Sequence, residues 1–321
     1  MAKGNRIAVT AGVMILIVAI AAVGIYSLIQ GRNSLPSTTT GNQSNHSSGH
    51  GIRIVAAENF WGSIISQLCG VRCNVTSIVT DPNADPHAYE ASAFDARVIS
   101  NARLVVVNGV GYDDWALKLL SAGNSQNQTV LNVAGLLGVQ NGSNPHLWYS
   151  PYYVNATARQ MYLDLVKIDP PNATYYAQQY SALNASLKQV DGRMAEIRQR
   201  FGGTRVAATE DIFVYLANAT GLDLVSPPEF MKAVAEGNDP SVQSVAEFEN
   251  QLENGNLSVL VYNEQTVTPL TTQMKQIAAD HNITIVGITE TIQPPDVTYQ
   301  TWMNAELLGL QDALSANALG K

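Results

Sequence analysis

Two histidines and two glutamates carry the chemistry that can be read in this chain of 321 residues. His87 stands in "DPNADPHAYE" (Asp81–Glu90), a stretch with two prolines and three carboxylates. Proline fixes its own φ and pushes the residue before it toward extended backbone, so a side chain on this segment can be aimed. His146 stands in "NPHLWYSP", Glu210 in "AATEDIF" and Glu290 in "GITET". Each lies just past a β-rich run, His146 after a short intervening helix. Two imidazoles and two carboxylates so placed can hold one divalent metal. Each also has a structural reading of its own: a surface imidazole in a turn for either histidine, a first-turn helix acid for Glu210, an exposed loop acid for Glu290. The shared position at strand ends is what joins them into a set.

The elements that must position them alternate short β-rich runs with helical stretches from Ile52 onward. Residues 52–57, 74–79, 103–109 and 129–134 read as buried strands, and so do 204–210, 222–226, 257–263 and 283–289. Between them "FWGSIISQL", "AFDARVISNA", "VAEFENQLEN" and similar runs carry apolar residues at helical spacing. Strand–helix alternation predicts parallel sheets covered on both faces, with ligands bound beyond the carboxyl ends of the strands. Residues 155–201 show no strand signal. After Pro170 and Pro171, "NATYYAQQYSALNASLKQVDGRMAEIRQRF" has helical periodicity and stops at Gly202–Gly203. A helix of that length spans roughly 45 Å. The expected architecture is α/β: two lobes, 52–168 and 202–321, each a parallel sheet flanked by helices, with 169–201 as a stiff connecting helix and the only crossing.

The N-terminus differs. Lys3 and Arg6 precede residues 8–29, which contain no charge and are long enough to cross a bilayer. The positive flank should stay in the cytoplasm. Residues 1–30 therefore read as an uncleaved transmembrane anchor, with a cleaved signal peptide and a secreted form as the alternative. No cysteine lies near this segment, which excludes a lipid anchor on cysteine. Residues 31–51, rich in Ser, Thr, Asn and Gly, read as a disordered linker in which His46 and His50 are solvated. Asn-x-Ser/Thr sequons at eleven positions, Asn42 to Asn282, point to a glycosylated extracellular surface. Cys69 and Cys73 form either a local disulfide or two buried thiols. A net charge of −8 with 18 Lys plus Arg argues against nucleic acid as a partner.

From Ile52 to Leu314 the chain resembles the cluster A-I family of solute-binding proteins, which feed zinc, manganese or iron to ABC importers. The motifs that carry the resemblance are "DPHAYE", "NGVGYDDW", "NPHLWYSP", "VYNEQT" and "ITETI…YQTWM". It implies two α/β lobes on one long backbone helix and a metal held by His87, His146, Glu210 and Glu290. It also implies an extracellular monomer at the outer face of the cytoplasmic membrane, partnered by an ABC permease and its ATPase. Many zinc-binding members carry histidine where this chain has Glu210. A set of two nitrogens and up to four oxygens suits a harder ion, so manganese is favoured, with zinc a close second and iron(II) also accommodated. Glu58 and Glu264 also follow strands and compete for the carboxylate positions. Tyr149 and Asn263 are expected to orient ligands. Trp61, Trp115, Trp148 and Trp302 are expected to pack helices and the lobe interface, and His281 to sit exposed at a helix end. The rival functions are a metal-dependent hydrolase using the same residues, which needs an open coordination position, and a surface adhesin, which needs an exposed apolar stripe.

Overall fold

Among the described residues, short runs of β-branched and small apolar residues, too brief for helices, form eight strands in two parallel sheets of the same plan. The computed structural model describes residues 51–81, 86–123 and 127–319. The expected anchor (1–30), the linker up to residue 50, and His46 and His50 within it lie outside the described residues. Among the described residues no helix is long and apolar enough to cross a membrane.

The first sheet pairs β1 (Ile52–Glu58), β2 (Cys73–Val79), β3 (Leu104–Val107) and β4 (Thr129–Asn132) in the order β2-β1-β3-β4. The second pairs β5 (Arg205–Ala208), β6 (Asp223–Leu224), β7 (Val259–Asn263) and β8 (Thr284–Ile288) in the order β6-β5-β7-β8. All pairs are parallel, with Ile54 beside Leu104 and Val206 beside Val259. Four consecutive buried residues in β3, "LVVV", are what a sheet covered on both faces requires. In each sheet the strand order reverses between the first and third strands, which opens a crevice at their carboxyl ends.

In the first lobe the helices are α1 (Asn59–Cys69), α2 (Ala93–Asn101), α3 (Asp114–Ala122), α4 (Val133–Leu137) and α5 (Pro151–Ile168). The long connection is α6 (Ala173–Phe201), 29 residues that begin after a 3-10 turn at Pro170–Asn172. The second lobe adds α7 (Val214–Thr220), α8 (Pro228–Ala235), α9 (Val242–Asn254), α10 (Pro269–Asp280) and α11 (Tyr299–Leu319).

The connecting helix is not the only tie between the lobes, which corrects the sequence expectation. Helix α11 folds back against α6, β8 and α1. Asn59 exchanges two hydrogen bonds with the backbone of Ile292, at 3.0 and 3.2 Å. The Tyr299 hydroxyl donates to the Trp148 carbonyl at 2.6 Å. One apolar core runs through both lobes; it contains Phe60, and Trp61, Trp148 and Trp302 as expected. Trp115 instead packs, half-buried, on the outer face of the first sheet with Val105 and Val107. Cys69 and Cys73 are paired as a disulfide across the turn after α1, their Cα atoms 5.7 Å apart.

Four predicted strands, 103–109, 129–134, 204–210 and 222–226, end two residues early. The run 103–109 leaves the sheet at Val107 because the next backbone N–H groups, of Asn108 and Gly109, donate to the Asp113 carboxylate. Residues 204–210 stop pairing at Ala208, and extended Glu210 then leads into a 3-10 turn.

Candidate metal centre

The first lobe supplies two imidazoles. Past β2 the chain makes one 3-10 turn, Pro86–Ala88, which places His87 with its side chain 23% exposed. His146 follows α4 in the Asn-Pro-His turn and is fully buried. Asn144 Oδ1 accepts from the His146 backbone N–H at 2.9 Å and lies 2.8 Å from Nδ1. Asp211 Oδ1 stands 3.3 Å from the same nitrogen. Nδ1 is thus committed as a donor, and Nε2, buried without a hydrogen-bond partner, keeps its lone pair.

The second lobe supplies two carboxylates, both fully buried. Glu210 follows β5 and Glu290 follows β8. Asn263, the last residue of β7, stands between them. Its Nδ2 donates to Glu210 Oε2 at 3.0 Å and to Glu290 Oε1 at 2.6 Å, and its Oδ1 accepts from the Gln265 backbone at 2.9 Å. Gln265 Oε1 in turn accepts from the backbone of Glu290 and Thr291 at 2.8 and 2.9 Å. Burial, and after it the neighbouring Glu290 charge, pushes the Glu210 carboxyl up to about 8, against the opposing bonds from Asn263 and Thr266. Glu210 Oε1 is buried with no hydrogen-bond partner. Two adjacent buried carboxylates are costly unless a cation neutralises them.

The lobes bring these groups together. Donor atoms of His87, His146 and Glu290 all lie within 4.8 Å of one another, and no other such trio of potential ligands exists among the described residues. His87 Nε2 is 3.4 Å from Glu290 Oε2. Glu210 is not in that trio; it is joined to Glu290 through the shared Asn263 amide. The competitors fall away. Glu264 is exposed and contacts Tyr262 at 3.4 Å. Glu58 is buried beside Asp113, and burial followed by that neighbour's charge raises its carboxyl well above the usual range. His281 is exposed at the end of α10, its Nδ1 on the Ile277 carbonyl at 2.9 Å.

Asn263 orients both carboxylates, as expected. Tyr149 does not: its hydroxyl lies 2.6 Å from Glu306 Oε2 and 2.7 Å from the Thr289 carbonyl, so it braces the backbone before Glu290 and not the side chains of the four candidates. Sequence reasoning passed over three residues: Asn144 and Asp211 on His146, and Tyr112, whose hydroxyl donates to Glu290 Oε2 at 2.7 Å. Asn144 could have been found from its turn-forming place two residues before His146. A cavity of about 280 Å³ borders the site, lined by His87, Tyr112, Asn144, Asp211, Lys232 and Glu236 among others. His87 is the ligand candidate that meets solvent.

The chain as a whole has relatives. The manganese-binding lipoprotein MntA of Halalkalibacterium halodurans is 25% identical over 248 residues, covering 74% of this chain and 79% of that protein. The high-affinity zinc uptake system protein ZnuA of Bacillus subtilis is 21% identical over 253 residues, covering 72% and 78%. The periplasmic zinc-binding protein TroA from Treponema pallidum shares the fold with a TM-score of 0.69 at 17% identity, over 81% of this chain and 98% of that one. Residues 54–313 match the family described as zinc-uptake complex component A, periplasmic (ZnuA), and the chain belongs to it.

Proposed function

We propose that this member of the zinc-uptake component A family captures one divalent transition metal between its lobes and hands it to an ABC permease driven by an ATPase. His87, His146, Glu210 and Glu290 are the ligands. The observation that carries this reading is the meeting of His87, His146 and Glu290 within 4.8 Å beside buried, charge-coupled Glu210. The lone pair on His146 Nε2 and the unpartnered Glu210 Oε1 are the two buried atoms a cation would satisfy. Manganese is the favoured cargo, because two of four ligands are carboxylates; zinc is close behind and iron(II) is also accommodated. The relatives' names describe metal-binding and metal-uptake proteins, which supports reading this chain as a carrier and not an enzyme.

The carrier works as a monomer on the outer face of the cytoplasmic membrane, held by the apolar stretch 8–29. Of its sequons, Asn74, Asn127, Asn141, Asn218 and Asn282 are exposed and open to glycosylation, whereas Asn155 is tied to Asp191 at 3.1 Å. Calorimetric titration with manganese(II) and zinc(II) should give one ion per chain. A double His87→Ala/His146→Ala variant should lose that binding, and retention of parental affinity would place the site elsewhere.

A further inference from the structure

Tyr112 belongs to the first lobe, yet its hydroxyl donates to Glu290 Oε2 of the second, at 2.7 Å. The ring is 4% exposed, edge-on to His87 with centroids 4.8 Å apart, and tilted against Trp148 at 5.1 Å. The loop that delivers it is strained. Gly109, Val110 and Gly111 have φ of 82°, 59° and 85°. Glycine tolerates that region; a β-branched valine there is an outlier. The Asp113 carboxylate holds the loop in place by accepting from the backbone of Asn108 and, at 2.8 Å, of Gly109. Strain of this kind persists only where the surroundings over-determine it, and it collects at ligand clamps.

Glu290 is thereby gripped at both ends, Oε1 by Asn263 at 2.6 Å and Oε2 by Tyr112. A carboxylate held this way cannot rotate freely to chelate an ion through two oxygens. We infer that Tyr112 is a positioning residue that sets metal preference: its bond to Oε2 limits Glu290 to one oxygen on the cargo, lowers the oxygen count and keeps zinc(II) competitive with manganese(II). Zinc accepts four donors readily, whereas manganese suits oxygen-rich sites of higher coordination number. The inference rests on the metal-capture reading above.

Tyr112→Phe tests it, since the substitution deletes the hydroxyl and keeps the ring. Manganese(II) and zinc(II) affinities are measured by competition in one buffer, and cobalt(II) serves as a spectroscopic probe of coordination number. The ratio of manganese to zinc affinity should rise about tenfold in the variant, at the lower end of the scale for a hydrogen bond to a charged group. The visible cobalt bands should weaken as a four-coordinate ion gains a donor. A merely structural role for Tyr112 would lower both affinities together and leave the cobalt bands alone; that result, or an unchanged ratio, overturns the inference. X-ray absorption of the unaltered zinc-loaded protein is independent of the variant's folding, and more than four donors there would overturn it as well. One-to-one binding with an unchanged ratio sinks only this inference, whereas an unaltered protein that takes up neither ion sinks the metal reading with it.

Discussion

Replacing Glu210 by Gln should make the metal-free protein more stable at alkaline pH, by an amount that depends on pH in a defined way. Burial and the adjacent Glu290 charge raise the Glu210 carboxyl from an ordinary value of 4.5 to about 8. Between those values the folded chain holds a proton that the unfolded chain has released. The stabilising contribution is fully present below 4.5 and is lost as pH rises through about 8. Integrated from pH 5 to pH 8, the shift corresponds to about 3 kcal/mol. Glutamine has nearly the same shape and no charge, so it removes this dependence. Its extra amide protons add a cost of about 1–3 kcal/mol that does not vary with pH. Glu306, raised to about 8 chiefly by burial, and Asp113, raised to about 6 for the same reason, shape the parent's own profile, so only the difference between the two proteins isolates Glu210. The assay is urea unfolding of both proteins in chelator at pH 5 and pH 8. The variant should gain about 3 kcal/mol relative to the parent across that interval. A change below about 1 kcal/mol would mean that Glu210 is not held as a protonated buried acid, and the electrostatic case for a cation beside it would fall.

Glu210→His should lower the ratio of manganese to zinc affinity, because a borderline nitrogen replaces a harder oxygen donor; an unchanged ratio with both affinities intact would remove Glu210 from the ligand set. Because Glu210 must ionise to bind metal, uptake near neutral pH should release roughly one proton, seen by calorimetry in buffers of different ionisation enthalpy, and affinity should already decline as pH falls below about 8. Asn263→Leu deletes the amide shared by two carboxylates and should destabilise the metal-free protein by about 2 kcal/mol at pH 8 and by less at pH 5, where Glu210 is protonated; equal losses at both pH values would contradict that role.

The strands were legible because each is a β-branched apolar run bounded by turn residues, and parallel pairing follows from the helices between them. Sequence periodicity carried the run 103–109 too far, since "VVV" flows into "NG" with no sign that Asp113, several residues on, captures the backbone there. His87, His146 and Glu290 could be picked out by their position after strands, and the structure brings these three together. Tyr112 could not. A tyrosine just ahead of a helix reads as packing, and its partner is 178 residues away. Asp211 was hidden by Glu210, its neighbour, and its contact with His146 depends on how the lobes face each other. The same long-range geometry redirected Tyr149 to Glu306 on α11, a helix whose return to the first lobe has no local signature.

That return decides how the site can open. Swinging the lobes apart would expose Tyr149, Tyr299 and Trp302, which meet in the shared core with ring centroids 5.7 and 5.9 Å apart and at most 2% exposure. At about 25 cal/mol per Å² and roughly 150–250 Å² per aromatic ring, uncovering the three costs on the order of 10 kcal/mol, before the bonds from Asn59 to Ile292 are counted. Releasing the Tyr112 hydroxyl from Glu290 costs about 1.5–3 kcal/mol, and the strain stored at Val110 offsets part of that. His87, at 23% exposure, sits on a single short turn. Movement of the Gly109–Tyr112 loop and of the His87 turn is therefore cheaper than rigid-body parting of the lobes by several kcal/mol, so exchange at the proposed metal site should run through the first lobe's loops while Glu210, Asn263 and Glu290 stay fixed.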